Sequence, residues 1–156
     1  MTVEPATLGR IPVLAGLPSG DLDALAGRSE TRALADGETL FEAGERAETM
    51  FGVLDGQLVL RAVVDRGSTI VMTAGAGDLL GWTALRDDAR WLTTGASAGR
   101  SEVVVIPAAA VLDVIASGSA ASRGLVRRLF GVAAQHLEET QAQLLARGRE
   151  GLITGG

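Results

Sequence analysis

The pattern of apolar and polar positions divides the chain into a β-rich middle and helical ends. Between about residues 28 and 106, short apolar runs rich in β-branched side chains alternate with glycine-marked turns. Antiparallel sheets hide their edges by closing or by doubling, and regularly spaced turns are typical of both arrangements. The pattern of this β-rich region therefore predicts an antiparallel sandwich or closed β-roll. Its clearest predicted strands are 39–41, 50–54, 57–64, 69–73 and 102–106.

Helical signals flank this β-rich region on both sides. Residues 18–26 combine a polar capping position with early acids, and residues 107–116 begin with a proline and stop before a Ser-Gly pair. A longer helix is predicted over 120–147, and residues 148–156 are predicted to form a flexible tail. Because the chain has no internal repeat, we expect a single domain over 1–147.

The apolar surface of the long helix is wider than one stripe. A helix with such a surface usually packs on its own domain with one side and on a partner with the other. We therefore expect a homodimer formed through this helix. The candidate dimer residues are Val126, Leu129, Phe130, Ala133 and Leu137.

Composition and charge exclude several classes of function. The 156 residues include no Cys, so disulfides, thiolate nucleophiles and zinc–thiolate sites are excluded. The net charge of −5 lacks the basic surplus with which most nucleic-acid binders neutralise phosphates. The longest apolar run, at 103–112, falls short of the ~20 residues needed to cross a bilayer. The N-terminus also lacks the basic start of an export signal, so we expect a cytoplasmic protein without membrane contact.

Catalytic and metal chemistry find no support in the sequence. The single histidine, His136, has Glu139 three residues away, but the second such motif and the two further acids of a helical metal site are missing. No serine is accompanied by a residue that could act as its general base, and paired acids such as Glu138-Glu139 lie on a helix whose pattern predicts exposure. We therefore expect neither enzyme activity nor a bound metal.

Four segments carry a family resemblance. They are GLPSGDLDALAG (16–27), ADGETLFEAGERAETMFGVLDGQLVL (35–60), GAGDLLGWTAL (75–85) and EVVVIPAAAVLDVI (102–115). Together they resemble the cyclic-nucleotide-binding domain of the catabolite-activator and FNR-like regulators, over about residues 10–147. The resemblance implies a mainly β fold, namely a jelly-roll (double-stranded β-helix) with a short N-terminal helix and two C-terminal helices, the last one long. In those regulators a DNA-reading domain follows, whereas only about nine residues follow here, so direct DNA binding is not expected.

The resemblance also places a phosphate-binding cassette at 75–85. Gly81 and the residues after it can form one helical turn whose free N–H groups favour an anion. The family's ribose-binding Glu falls at Trp82 and its phosphate-binding Arg at Trp91, with Arg90 one residue early. Losing these contacts removes ~1.5–3 kcal/mol each, so cyclic AMP is expected to bind weakly or not at all. The candidate ligand-binding residues are Gly81, Trp82, Thr83, Ala84, Leu85, Arg90, Trp91, Thr93 and Thr94.

Two hypotheses for the function stay open. Trp82 and Trp91 either fill a vestigial pocket or line a site for a different ligand, and Arg90 is either an anion ligand or a surface Arg beside Asp87 and Asp88. The first hypothesis is a dimeric regulatory module that senses a small ligand, anionic or otherwise, or has lost cyclic AMP binding, and acts on an unidentified protein. The second is a ligand-free scaffold that recruits another protein.

Overall fold

The computed structural model describes residues 3–154, with side chains described through residue 148. Eight strands lie between the helical ends: β1 (Glu30–Leu34), β2 (Thr39–Phe41), β3 (Thr49–Asp55), β4 (Gln57–Val64), β5 (Gly67–Gly75), β6 (Leu79–Leu80), β7 (Thr94–Ser97) and β8 (Ser101–Pro107). The helices are α1 (Pro5–Leu8), α2 (Pro12–Ala15), α3 (Ser19–Ala26), α4 (Ala108–Ala116) and α5 (Ala120–Thr154). A 3-10 turn (Trp82–Leu85) follows β6.

The strands form two antiparallel four-stranded sheets around an apolar interior. One sheet has the order β1-β8-β3-β6 and the other the order β2-β7-β4-β5. All five strands that the apolar runs predict lie within β2, β3, β4, β5 and β8. The predicted mainly β, antiparallel jelly-roll fold with flanking helices is confirmed.

The helical ends differ from the prediction in two places. α1 and α2 were not predicted, because four residues are too few to show a helical period, although each begins with the proline that suits a first turn. α5 begins at Ala120 as predicted but continues to Thr154. Residues 148–154, predicted as flexible tail, are therefore helical, and 155–156 lie outside the described residues. Two glycines in this segment cost only ~1 kcal/mol each in a helix, too little to end one among good helix formers.

Strand β3 separates two apolar clusters, because alternate residues of a strand face opposite sides. Met50 and Leu54 join a cluster formed with the helices, whereas Phe51 and Val53 join the interior of the roll. Leu125 is fully buried in the first cluster and holds the start of α5 on the domain. No helix within residues 3–154 combines the length and the apolar character that crossing a membrane requires.

Candidate functional site

The chain turns sharply at Gly81, between β6 and the 3-10 turn. Gly81 has φ +87°, in the left-handed region, and its carbonyl oxygen accepts a hydrogen bond from the Ala84 N–H at 2.8 Å. A Cβ at this position would lie 2.8 Å from the Thr49 carbonyl oxygen and 2.9 Å from Cη2 of Trp91. Only glycine satisfies both the backbone angle and the close approach. The turn is therefore locked against β3 and against the Trp91 ring.

A cavity of about 280 Å³ lies between this turn, strands β4 and β5, and helix α5. Five of the predicted site residues line it, namely Gly81, Trp82, Thr83, Trp91 and Thr93. Sequence reasoning missed the strand residues of the floor, which are Leu60, Val71, Met72 and Leu80. They belong to ordinary β-branched or apolar runs, so no local signal distinguishes them from core.

Four residues of α5 close the cavity from the other side. His136, Glu139, Thr140 and Gln143 follow one another at the spacing of a single helix face. Sequence reasoning considered only the first two, as metal ligands, and missed the other two. The polar residues that recur along this helix face were the sequence signal that could have identified them. No group of three or more metal-ligating side chains occurs in the part of the chain that the structure describes.

Trp91 fills the interior of the roll. Its ring stacks on Phe41 at a centroid distance of 3.9 Å and an interplanar angle of 16°, and it lies 5.8 Å from Phe51. Only 8% of Trp91 is exposed. Gly95 makes room for this stack, since a Cβ there would collide with the Phe41 ring. Trp91 therefore combines core packing with one wall of the cavity.

Trp82 connects the 3-10 turn to α5. Its indole Nε1–H donates a hydrogen bond to Nδ1 of His136 at 3.2 Å, and the two rings lie 6.3 Å apart. The half-buried indole also borders a shallow depression on the α4 side, together with Val126 and Phe130. Trp82 thus lies between the cavity and the exposed apolar surface of α5.

The structure places four predicted site residues outside the cavity lining. Arg90 is exposed and donates from its guanidinium to the Gly44 carbonyl oxygen at 2.8 Å, so it is not positioned as an anion ligand of the cavity. The Thr94 hydroxyl accepts a hydrogen bond from the Ala43 N–H. The other two are core residues: Ala84 is buried in the interior cluster, and Leu85 packs against both clusters.

The charge of the cavity is negative. Glu139 is the one formally charged side chain among the described residues that line it, and no Arg side chain lines it. The Glu139 carboxylate accepts a hydrogen bond from Gln135 Nε2 at 3.1 Å. The remaining polar groups are the hydroxyls of Thr83, Thr93 and Thr140, the amide of Gln143, and the His136 imidazole with the Trp82 N–H bonded to it. This lining suits neutral or positively charged groups and disfavours phosphate.

The surface of α5 presents most of the predicted dimer residues to solvent. Val126, Phe130 and Leu137 are 44%, 74% and 59% exposed. Ala133 is half-buried beside them. The prediction that Leu129 is a dimer residue is wrong, because Leu129 is only 6% exposed and belongs to the cluster between the helices and the roll. It faces its own domain, since it lies one turn after the buried Leu125.

Comparison with known proteins places this geometry in a family. The family model for the cyclic nucleotide-binding domain matches residues 31–117. A cAMP-dependent protein kinase regulatory subunit from Mycosarcoma maydis is 26% identical over 130 residues, which cover 83% of this chain, and the chain spans 24% of that protein's length.

Two solved structures share the fold. A cyclic nucleotide-binding domain from Methylobacillus flagellatus superposes with a TM-score of 0.78 and 13% identity, covering 91% of this chain and 84% of that one. The regulatory subunit of a cAMP-independent protein kinase A from Trypanosoma brucei superposes with a TM-score of 0.72 and 17% identity, covering 88% and 47%. Because the family model spans more than half of the residues, the chain belongs to the cyclic nucleotide-binding domain family, as a domain of the regulatory type.

Proposed function

We propose that this chain is a non-enzymatic regulatory module that has lost cyclic AMP binding and senses another small ligand in the cavity beneath α5. The observation that carries the proposal is the position of Arg90, whose guanidinium bonds Gly44 instead of reaching the cavity. The lining then holds Glu139 as its charged group and Trp82 where the family resemblance expects a ribose-binding Glu. Both contacts that a cyclic nucleotide needs are replaced by groups that do not supply them.

The energetic consequence is large enough to change the ligand. A charge-assisted phosphate contact and a buried hydroxyl contact contribute ~1.5–3 kcal/mol each, so losing both weakens binding by roughly a hundredfold or more. The negative Glu139 works further against a phosphate.

Ligand occupancy reaches α5 through direct contact. Trp82 lines the cavity, bonds His136 on α5 and borders Val126 and Phe130 on its far side. A ligand that displaces or rotates this indole changes how α5 lies on the roll. Such a ligand shifts the equilibrium between helix positions by its difference in affinity for them.

The exposed face of α5 supports a dimer with a second copy of this chain. The apolar residues Val126, Phe130, Ala133, Leu137 and Leu144 follow alternating spacings of four and three residues, with Thr140, which also borders the cavity, at the position between Leu137 and Leu144. Alternation of this kind is typical of a two-helix coiled-coil seam, where each apolar side chain inserts between four residues of the facing helix. The identical α5 of a second copy presents the same spacing, so it is the occupant that we propose.

The dimer is tested by two matched leucine substitutions. Leu137 lies on the seam and Leu145 beside it, and they are 59% and 67% exposed in the isolated chain. Leu137→Glu is expected to convert the dimer to a monomer in light scattering, because it buries a charge in the seam, whereas Leu145→Glu leaves the dimer intact. A wild-type monomer at high concentration, or equal effects of the two variants, contradicts the proposed dimer.

Loss of cyclic AMP binding is tested by thermal unfolding. A ligand present at about a hundred times its dissociation constant adds ~2.7 kcal/mol, which raises Tm by roughly 5–11 °C in a domain of this size. Millimolar cyclic AMP or cyclic GMP is expected to leave Tm unchanged. A rise of several degrees shows that the cavity still takes the family ligand and refutes the proposal.

The scaffold alternative is favoured by one observation, the burial of Trp91 against Phe41 in the interior. A ring that only fills space needs no ligand. The cavity beside it argues for the sensor, because a fully plugged site leaves no room of about 280 Å³ next to α5. If no small molecule shifts Tm while the dimer persists, the scaffold is the better description.

A further inference from the structure

We infer that the cavity takes a flat nitrogen heterocycle that carries no phosphate, of the size of a nucleobase or nucleoside; this inference rests on the proposed sensor function. The volume of about 280 Å³ lies just below the usual range for ligand pockets, about 300–1,000 Å³. The floor is apolar, and Leu60, Met72 and Leu80 supply it from three strands. A small ring system fits this space better than an extended chain.

The hydrogen bond of Trp82 decides which part of its side chain a ligand meets. An indole has a single donor, Nε1–H, and here that donor is given to His136 Nδ1. What remains for the cavity is the π surface of the ring. Such a surface is complementary to another flat ring, which can stack on it or meet it edge to face.

The polar groups at the rim determine which substituents the ring carries. Glu139 is an acceptor with several lone-pair sites, of which Gln135 uses one. Thr83 and Thr93 add hydroxyls on the side of the roll. A ligand with N–H donors, or with a positive charge, satisfies Glu139, whereas a phosphate brings a second negative charge beside it.

The test compares nucleosides with their phosphates and uses neighbouring acids as a matched pair. Glu139 lines the cavity, whereas Glu138 does not line it, and both are exposed, so Glu139→Lys and Glu138→Lys make the same change in net charge. Binding of adenosine, guanosine, cytidine and uridine, and of their 5′-monophosphates, is followed by tryptophan fluorescence and calorimetry on the full chain.

At least one nucleoside is expected to bind at least tenfold more tightly than its monophosphate. Glu139→Lys is expected to reduce or reverse that preference, and Glu138→Lys to leave it unchanged. Equal binding of nucleoside and monophosphate, or no binding of any nucleoside at millimolar concentration, overturns the inferred ligand class. If no nucleoside binds, an unchanged Tm with cyclic AMP and an intact dimer still support the proposed regulatory function. Tight binding of cyclic AMP contradicts both the inferred ligand class and the proposed function.

Discussion

Substitution of Gly81 by alanine tests whether the turn is locked as the structure shows. Two costs are expected. The left-handed backbone at φ +87° is unfavourable for an L side chain by ~1–2 kcal/mol. The new Cβ would also lie 2.8 Å from the Thr49 carbonyl oxygen and 2.9 Å from the Trp91 ring, and overpacking of this kind costs ~1–3 kcal/mol.

Gly44 provides the control that separates these two costs. Its φ is +90°, nearly the value at Gly81, but no heavy atom lies within 4 Å of a Cβ built there. Both substitutions incur the backbone cost, and both gain the same stability from a less flexible unfolded chain. The difference between the two variants, expected at ~1–3 kcal/mol, therefore measures the collision alone.

Thermal unfolding followed by circular dichroism resolves this difference. At about 2–4 °C per kcal/mol, Gly81→Ala is expected to melt roughly 2–12 °C below Gly44→Ala. Equal melting temperatures would refute the reasoning, because they would show that Trp91 and β3 move aside for the new Cβ with no loss of stability. The turn would then not be held by its contacts with the interior.

Three further substitutions probe single contacts. Trp82→Phe removes the donor to His136 and is expected to lower stability by ~0.5–1.5 kcal/mol in urea unfolding, with little further loss when His136 is also replaced by Phe. Trp91→Arg is expected to unfold the chain in circular dichroism, because it removes a buried ring and leaves a charge in the interior. The pKa of Glu38 lies below its ordinary value of 4.5 because its carboxylate accepts the Ala35 N–H. The resulting stability is complete above pH 4.5 and is lost as pH falls through the lowered pKa, and Glu38→Gln is expected to abolish that part of the acid dependence in melts.

The fold was predictable because its signals are local. Turn glycines and β-branched runs mark five of the eight strands within a few residues, and the left-handed φ at Gly37, Gly44, Gly56 and Gly77 agrees with the glycine turns. The short strand β7 escaped prediction because its sequence, Thr-Gly-Ala-Ser, has little β propensity. It is held by pairing with β2 and β4.

The site was predictable only in the part that is continuous in sequence. The cassette residues 81–83 line the cavity because they follow one another around a single turn. Counting along the chain placed the family's phosphate-binding Arg at Trp91, and Arg90 lies one residue earlier. An offset of one residue in an extended segment turns the side chain to the opposite side. The contact between Trp82 and His136 joins positions 54 residues apart. No pattern within either segment predicts that these two side chains meet.

The two halves of α5 are held differently, and this difference locates the motion that the proposed regulation requires. Leu125 and Leu129 are buried, and Arg128 donates to the Val13 carbonyl oxygen, so the first half is fixed to the domain. Beyond it, the Trp82–His136 bond is the one hydrogen bond between α5 and the roll among the described residues. A ligand that competes for Trp82 therefore acts on the part of the helix that this one hydrogen bond connects to the roll. Since Leu137 and Leu144 of the proposed seam lie on that same part, a small displacement there alters how two copies meet.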